Sequence, residues 1–142
     1  MICLGVDFGD KRVGFAICDK EEKMAVSIKT ETVRGARDAA KITARYALER
    51  GAETIVVGMP ARADGYRGER CEKTEVYLAF LREETSVPVV TEDERFTTVQ
   101  AHEMLYGTGL AGRDHKKCVD ALSAQLILQS YLDANKQPDY TK

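Results

Sequence analysis

The chain has 142 residues, a length that suits one domain with a proper core. With 44% hydrophobic and 31% charged residues, it has the composition of an ordinary globular protein, not of a disordered or fibrous one. Its formal net charge of -2 excludes a strongly basic protein that coats duplex nucleic acid through long-range attraction, though local basic patches stay open.

In chain order, Ile2 to Phe8 and Val13 to Cys18 read as two strands joined by the turn Gly9-Asp10-Lys11-Arg12. Ser27 to Val33 alternates as a third strand, which makes the opening an antiparallel meander. Arg37 to Arg50 carries Ala39, Ile42 and Tyr46 at helical spacing and stops at Gly51. Thr54 to Gly58 is a short β-branched run, the pattern of a strand buried on both faces. Ala61 to Gly68 is a polar loop with an Asp64-Gly65 turn signal. Glu69 to Glu84 is a second helix, and Pro88 to Thr91 is the last strand. Thr97-Thr98-Val99-Gln100 fits a capping box opening a helix that runs to about Tyr106. Gly107 to Lys117 reads as a glycine-bearing, partly basic loop. Val119 to Leu132 reads as a final, deeply packed helix, and the tail from Asn135 is polar. The order βββαβαβα sets parallel strands beside the meander, in a single α/β domain over residues 1–142.

The four cysteines, Cys3, Cys18, Cys71 and Cys118, form no Cys-x-x-Cys pair and read as small buried hydrophobes in a reducing compartment. Cys3 and Cys18 approach each other across the first hairpin. The N-terminus lacks a basic region ahead of a long apolar stretch, and no apolar run approaches the ~20 residues of a membrane span. These features point to a cytoplasmic chain that makes no use of membranes.

Asp7 is the residue that asks for an explanation. It lies in Leu4-Gly5-Val6-Asp7-Phe8-Gly9, an apolar strand core in which an uncompensated carboxylate is costly. Gly5, Gly9 and Gly14 leave room for a metal or phosphate to reach the backbone. Asp7 stands near the carboxyl end of a central strand, where ligands gather in open α/β sheets. Glu92-Asp93-Glu94-Arg95 follows the last strand to the same edge. In an extended segment Glu92 and Glu94 share one face and Asp93 takes the other, so either Asp93 or Glu94 can point at Asp7. Arg95 can hold the partner carboxylate or a phosphate. Asp120 opens the last helix, where an acid also complements the helix dipole, yet Ala121, Leu122 and Ala124 show that this helix start is packed.

Three acids from separate parts of the chain offer hard oxygen ligands, which suit Mg²⁺ or Mn²⁺. Two such ions on a phosphodiester activate water and stabilise the leaving oxygen. Asp64-Gly65-Tyr66-Arg67-Gly68 with Arg70 offers stacking and phosphate contact, and Arg113, His115, Lys116 and Lys117 form a basic stretch just before Asp120.

Taken together, these segments resemble one family. Leu4 to Gly14 resembles the opening of the YqgF family, also called RuvX. Val56-Val57-Gly58-Met59-Pro60 with Asp64-Gly65 and Gly68 is similar to its second motif. Asp93-Glu94-Arg95-Phe96-Thr97-Thr98 resembles its Asp-Glu-Arg motif, and Val119 to Ala124 with Leu126 to Gln129 is similar to its last helix. The chain departs from the family pattern at Arg62-Ala63 and at Cys118, positions near substrate and not among the acids.

The resemblance implies an RNase H-like fold with a mixed five-stranded sheet flanked by helices. It implies a metal-dependent endonuclease with Asp7, Glu94 and Asp120 as catalytic metal ligands. Lys11, Arg12, Arg67, Arg70, Arg95, Lys116 and Lys117 are the expected substrate contacts. The expected substrate is structured RNA, the precursor of 16S ribosomal RNA, and the alternative is a four-way DNA junction. A monomer or a homodimer fits either. Two other classes compete: a non-catalytic RNA-binding assembly factor on the same fold, and an actin-like ATPase, for which the Asp7-x-Gly9 phosphate motif speaks but which needs two such domains.

Overall fold

The computed structural model describes residues 2–9, 11–18, 24–59, 69–93 and 112–134, and for 69–70 and 112–120 among these it describes the backbone. The elements are β1 (Cys3–Phe8), β2 (Arg12–Cys18), β3 (Ala25–Thr32), α1 (Ala36–Arg50), β4 (Thr54–Met59), α2 (Glu69–Glu84), β5 (Val89–Asp93) and α3 (Gly112–Ala134). The strands form one five-stranded sheet in the order β3-β2-β1-β4-β5. Neighbours are antiparallel from β3 to β1 and parallel from β1 to β5. This is the mixed sheet expected from the meander followed by strand–helix alternation.

The two sheet faces are covered differently. Leu4, Val6 and Phe8 of β1 share a core with Val13, Phe15, Ile55 and Val57, and with Ala39, Ala40 and Ala47 of α1 and Tyr77, Leu78 and Leu81 of α2. Cys3, Ala16, Cys18, Val56 and Val90 pack on the other face beneath Ala124, Ile127, Leu128 and Leu132 of α3. β1 is buried along its whole length. Each large apolar side chain so enclosed contributes roughly 1.5–3 kcal/mol. The alternation of strand side chains therefore assigns every β1 residue to a helix layer: even numbers to α1 and α2, odd numbers to α3.

Two polar links tie α1 to its neighbours. The Thr43 hydroxyl donates to the Ala39 carbonyl at 2.7 Å and lies 2.7 Å from the Tyr77 hydroxyl, with both side chains fully buried. The Tyr77 ring stacks on Phe8 at 4.5 Å. The Tyr46 hydroxyl donates to Glu31 at 2.6 Å, and its ring meets Phe15 at 4.6 Å. α1 ends where the sequence predicts, at Gly51, whose φ of 67° is the left-handed cap conformation that glycine adopts without strain.

α3 differs from the expectation. The basic stretch expected as a loop up to Lys117 is helical from Gly112 onward, so Arg113, His115, Lys116 and Lys117 belong to α3. Its polar composition imitates a loop, but beyond Gly112 it holds no glycine or proline, and Lys and Arg are good helix formers. Asp120 therefore lies more than two turns inside α3 instead of opening it, and the helix-start explanation for its charge falls away. β3 begins two residues before Ser27, at Ala25, and bulges opposite Phe15 and Ala16. The expected loop 61–68, the helix 97–106 and the tail from Asn135 lie outside the described residues. Among the described residues no helix is long and apolar enough to cross a membrane.

Cys3, Cys18 and Cys71 are buried thiols, as expected, and the Cys3 amide donates to the Cys18 sulfur at 3.0 Å.

α3 lies against β1 at Gly5. A methyl group there would stand 2.7 Å from Leu128 Cβ and 3.0 Å from the Ala124 carbonyl oxygen. Gly5→Ala is thus expected to destabilise the fold by roughly 1–3 kcal/mol through overpacking, read as a lower midpoint in denaturant at unchanged slope. A second prediction concerns alkaline pH. Burial first, then the hydrogen bond to Glu31 and its charge, raise the Tyr46 phenol from 10.0 to about 12. The folded state prefers the neutral phenol, so stability is level below pH 10 and falls as pH rises toward 12. Tyr46→Phe should make this limb shallower in denaturation curves taken across that window, leaving the share set by Tyr77, whose phenol burial also raises.

Candidate active site at the carboxyl ends of β1, β4 and β5

Asp7 is 8% exposed and sits at the penultimate position of β1. Being odd-numbered, it belongs to the α3 face with Cys3 and Gly5. Its partner across the β1–β2 ladder is Gly14. On the other side the parallel register pairs Val6 with Val57, which sets Gly58 next to Asp7. Gly58 in turn pairs with Glu92 of β5. One row on the α3 face therefore reads Gly14, Asp7, Gly58, Glu92 across four strands. On the neighbouring strands the positions beside Asp7 are both glycines.

The path of α3 follows from its contacts. Ser27 Oγ donates to the Ala121 carbonyl at 3.1 Å and to Gln125 at 2.7 Å, and the Ala25 amide donates to Gln129 at 2.9 Å. Moving forward along β3 thus means moving backward along α3, and β1 runs parallel to β3. Ala124 and Leu128 sit over Gly5. One row further along β1 is Asp7, and one turn back from Ala124 is Asp120. The backbone of α3 brings position 120, on the stripe of Ala124, Ile127 and Leu128, to the level of Asp7.

The third acid divides the alternatives left open by the sequence. Asp93 pairs with Met59, whose side chain packs into the α1 and α2 core, so Asp93 is on the face away from Asp7. Glu94 follows immediately after β5 and lies outside the described residues, as do Arg67 and Arg95. Arg70, Lys116, Lys117 and Asp120 are placed through their backbones in α2 and α3. Lys11 is exposed in the β1–β2 turn, where its carbonyl accepts the Val33 amide at 2.9 Å. Arg12 opens β2, two residues before Gly14, and so stands on Asp7's face one row nearer the edge.

A metal requires donors of the right kind gathered in one place. Among the described residues no three His, Cys, Asp or Glu side chains meet. Of the three expected acids, only Asp7 has its side chain among them. A buried carboxylate between two glycines, with an acid position on the helix above, is a hard-oxygen donor set suited to Mg²⁺ or Mn²⁺. Sequence reasoning missed Glu92 as a member of Asp7's row. Its signal was the alternation with Val90, which is apolar and packs beneath α3.

Comparison with known proteins bears on the family and the fold. The RuvX family, described as Holliday junction resolvase, matches residues 1–134. A protein of Syntrophus aciditrophicus named as a pre-16S rRNA nuclease is 39% identical, with 96% of this chain and 91% of that protein covered. One of the same name from Geobacillus kaustophilus is also 39% identical, covering 96% of this chain and all of that protein, 100%. Among solved structures, T. thermophilus RuvC in complex with a Holliday junction substrate superposes with a TM-score of 0.59 at 19% identity, covering 94% of each chain. The Fowlpox virus resolvase with Holliday junction DNA gives 0.56 at 13% identity, over 96% of this chain and 100% of that one. At such identities the structural likeness speaks for the fold alone, an α/β sheet of RNase H-like type. From the match along residues 1–134 and from relatives that align over nearly the full length, the chain belongs to the RuvX family.

Proposed function

We propose that this chain is a divalent-cation-dependent endonuclease that trims the 5′ end of pre-16S ribosomal RNA. The observation that carries the proposal is the buried Asp7 carboxylate, flanked by Gly14 and Gly58, with the Asp120 position of α3 brought level with it. The relatives' names support the RNA substrate, and family membership supports nuclease chemistry.

Asp7, Glu94 and Asp120 would hold Mg²⁺ or Mn²⁺, which supplies an activated water and neutralises charge at the leaving oxygen. The chain's own groups do the positioning. The strand backbone holds Asp7 rigidly, because β1 is hydrogen-bonded on both sides. The two glycines let a phosphodiester come close to the sheet edge. Arg12 and Lys11, at the turn beside the acids, provide cations for flanking phosphates, with Arg67, Arg70, Arg95, Lys116 and Lys117 extending the track. The modest net charge restricts this attraction to the neighbourhood of the site.

The deciding measurement is a paired cleavage assay on a pre-16S leader and a four-way DNA junction, each with Mg²⁺ or Mn²⁺. The leader should be cut and the junction left intact; the reverse pattern would assign the chain to DNA junctions. Asp7→Asn should reduce turnover by on the order of 100-fold or more, the scale for losing one group that stabilises transition-state charge. Cleavage by Asp7→Asn at the parent rate would overturn the catalytic assignment. RNA binding without cleavage under any divalent ion would make the protein an assembly factor.

A further inference from the structure

Two polar residues next to the site remain unexplained by it. Glu92 occupies Asp7's row on the α3 face, separated from it only by Gly58. It is half-buried at the end of a strand whose preceding residue on that face, Val90, packs beneath α3. Ser123 is the second. It is 1% exposed, and its hydroxyl is buried with no hydrogen-bond partner. A helical serine ordinarily returns its hydroxyl to the carbonyl one turn back, and Ser123 does not.

The position of Ser123 around α3 shows what it adjoins. Gln125 and Gln129 reach β3, and Ala124 and Leu128 rest on Gly5 of β1. The next stripe in the same direction carries Ile127 and Ser123, on the side of β4 and β5, where Ile127 shares a core with Val56 and Val90. Along the helix axis, Ser123 precedes Ala124, on the way from Gly5's row to Asp7's. An acid, a position without a side chain and an unsatisfied buried hydroxyl thus fall on adjoining positions of the sheet edge and the helix above it. A buried polar group left without a partner in the protein is a place where a bound water or ion completes the set.

We infer that Glu92 is a further acid of the cation site: it holds a hydrated divalent cation over Gly58, with the Ser123 hydroxyl bonded to the water shell of that ion. This rests on the active-site reading proposed above and extends it by two residues. Glu92 carries the negative charge; Ser123 orients water.

The test uses the full chain and Mn²⁺ alone, titrated at constant ionic strength by calorimetry and by the paramagnetic signal of the free ion. Glu92→Gln should weaken Mn²⁺ binding roughly tenfold, the scale of losing an outer carboxylate around a metal. Asp93→Asn removes the same charge from the opposite sheet face and should leave binding nearly unchanged. Ser123→Ala should weaken it by a smaller, measurable factor. If Glu92→Gln binds no more weakly than Asp93→Asn, the assignment of Glu92 is overturned. If Ser123→Ala binds as the parent does, the role of its hydroxyl is overturned. Asp7→Asn separates the two levels: loss there with no loss at Glu92 sinks only the present inference, whereas parent-like binding by Asp7→Asn sinks the active-site reading beneath it.

Discussion

The approach of α3 to Gly5 is the constraint on which the rest of the site depends. The glycine lets the helix backbone settle close to β1, near enough that a single methyl would meet both Leu128 and the Ala124 carbonyl. That contact fixes the height of α3 above the sheet. The side-chain bonds from Ser27 and the Ala25 amide fix its direction and its register along the strands. With height, direction and register set, the relation between position 120 and Asp7 has little freedom left. The level of position 120 relative to Asp7 is thus a consequence of packing at Gly5, one row away. Sites held by rigid elements in this way keep their geometry without a loop having to find it.

The electrostatic logic follows. Asp7 is nine-tenths removed from water and lies on the face that packs Cys3, Ala16 and Val56 beneath α3. In such surroundings a negative charge interacts strongly with any cation that reaches it, because little water screens the pair. The same surroundings make the bare carboxylate costly. A cation held there, as proposed above, would offset that cost in the folded state alone and so link cation binding to folding stability. Among the described residues no charged side chain is buried on the opposite face, where the Thr43 and Tyr77 hydroxyls share a hydrogen bond.

The sequence carries the sheet clearly. Alternation and β-branching placed the five strands, Gly51 stopped α1, and the element order gave the mixed topology, since each depends on local pattern. The start of α3 was illegible for a physical reason. A run of charged residues looks alike whether it coats a helix or fills a loop, and only its tertiary setting decides. Asp7 stood out because its neighbours are glycines and hydrophobes. Asp93 and Glu94 could not be told apart, because the answer lies in which residue of β4 each one faces, and cross-strand register is not written in either strand alone. Glu92 and Ser123 were overlooked for the same reason: each is ordinary in its own segment and gains meaning only from the other.

The structure joins the third strand to the last helix. The bond from Ala25 to Gln129 spans 104 residues, and that from Ser27 to Ala121 spans 94. During synthesis the chain emerges N-terminal end first, so β1 to β5 are available before α3 exists. Until α3 leaves the ribosome, the sheet lacks the helix that packs on Gly5. On the reading proposed above, a chain halted before α3 would carry Asp7 without the helix that brings position 120 to its level.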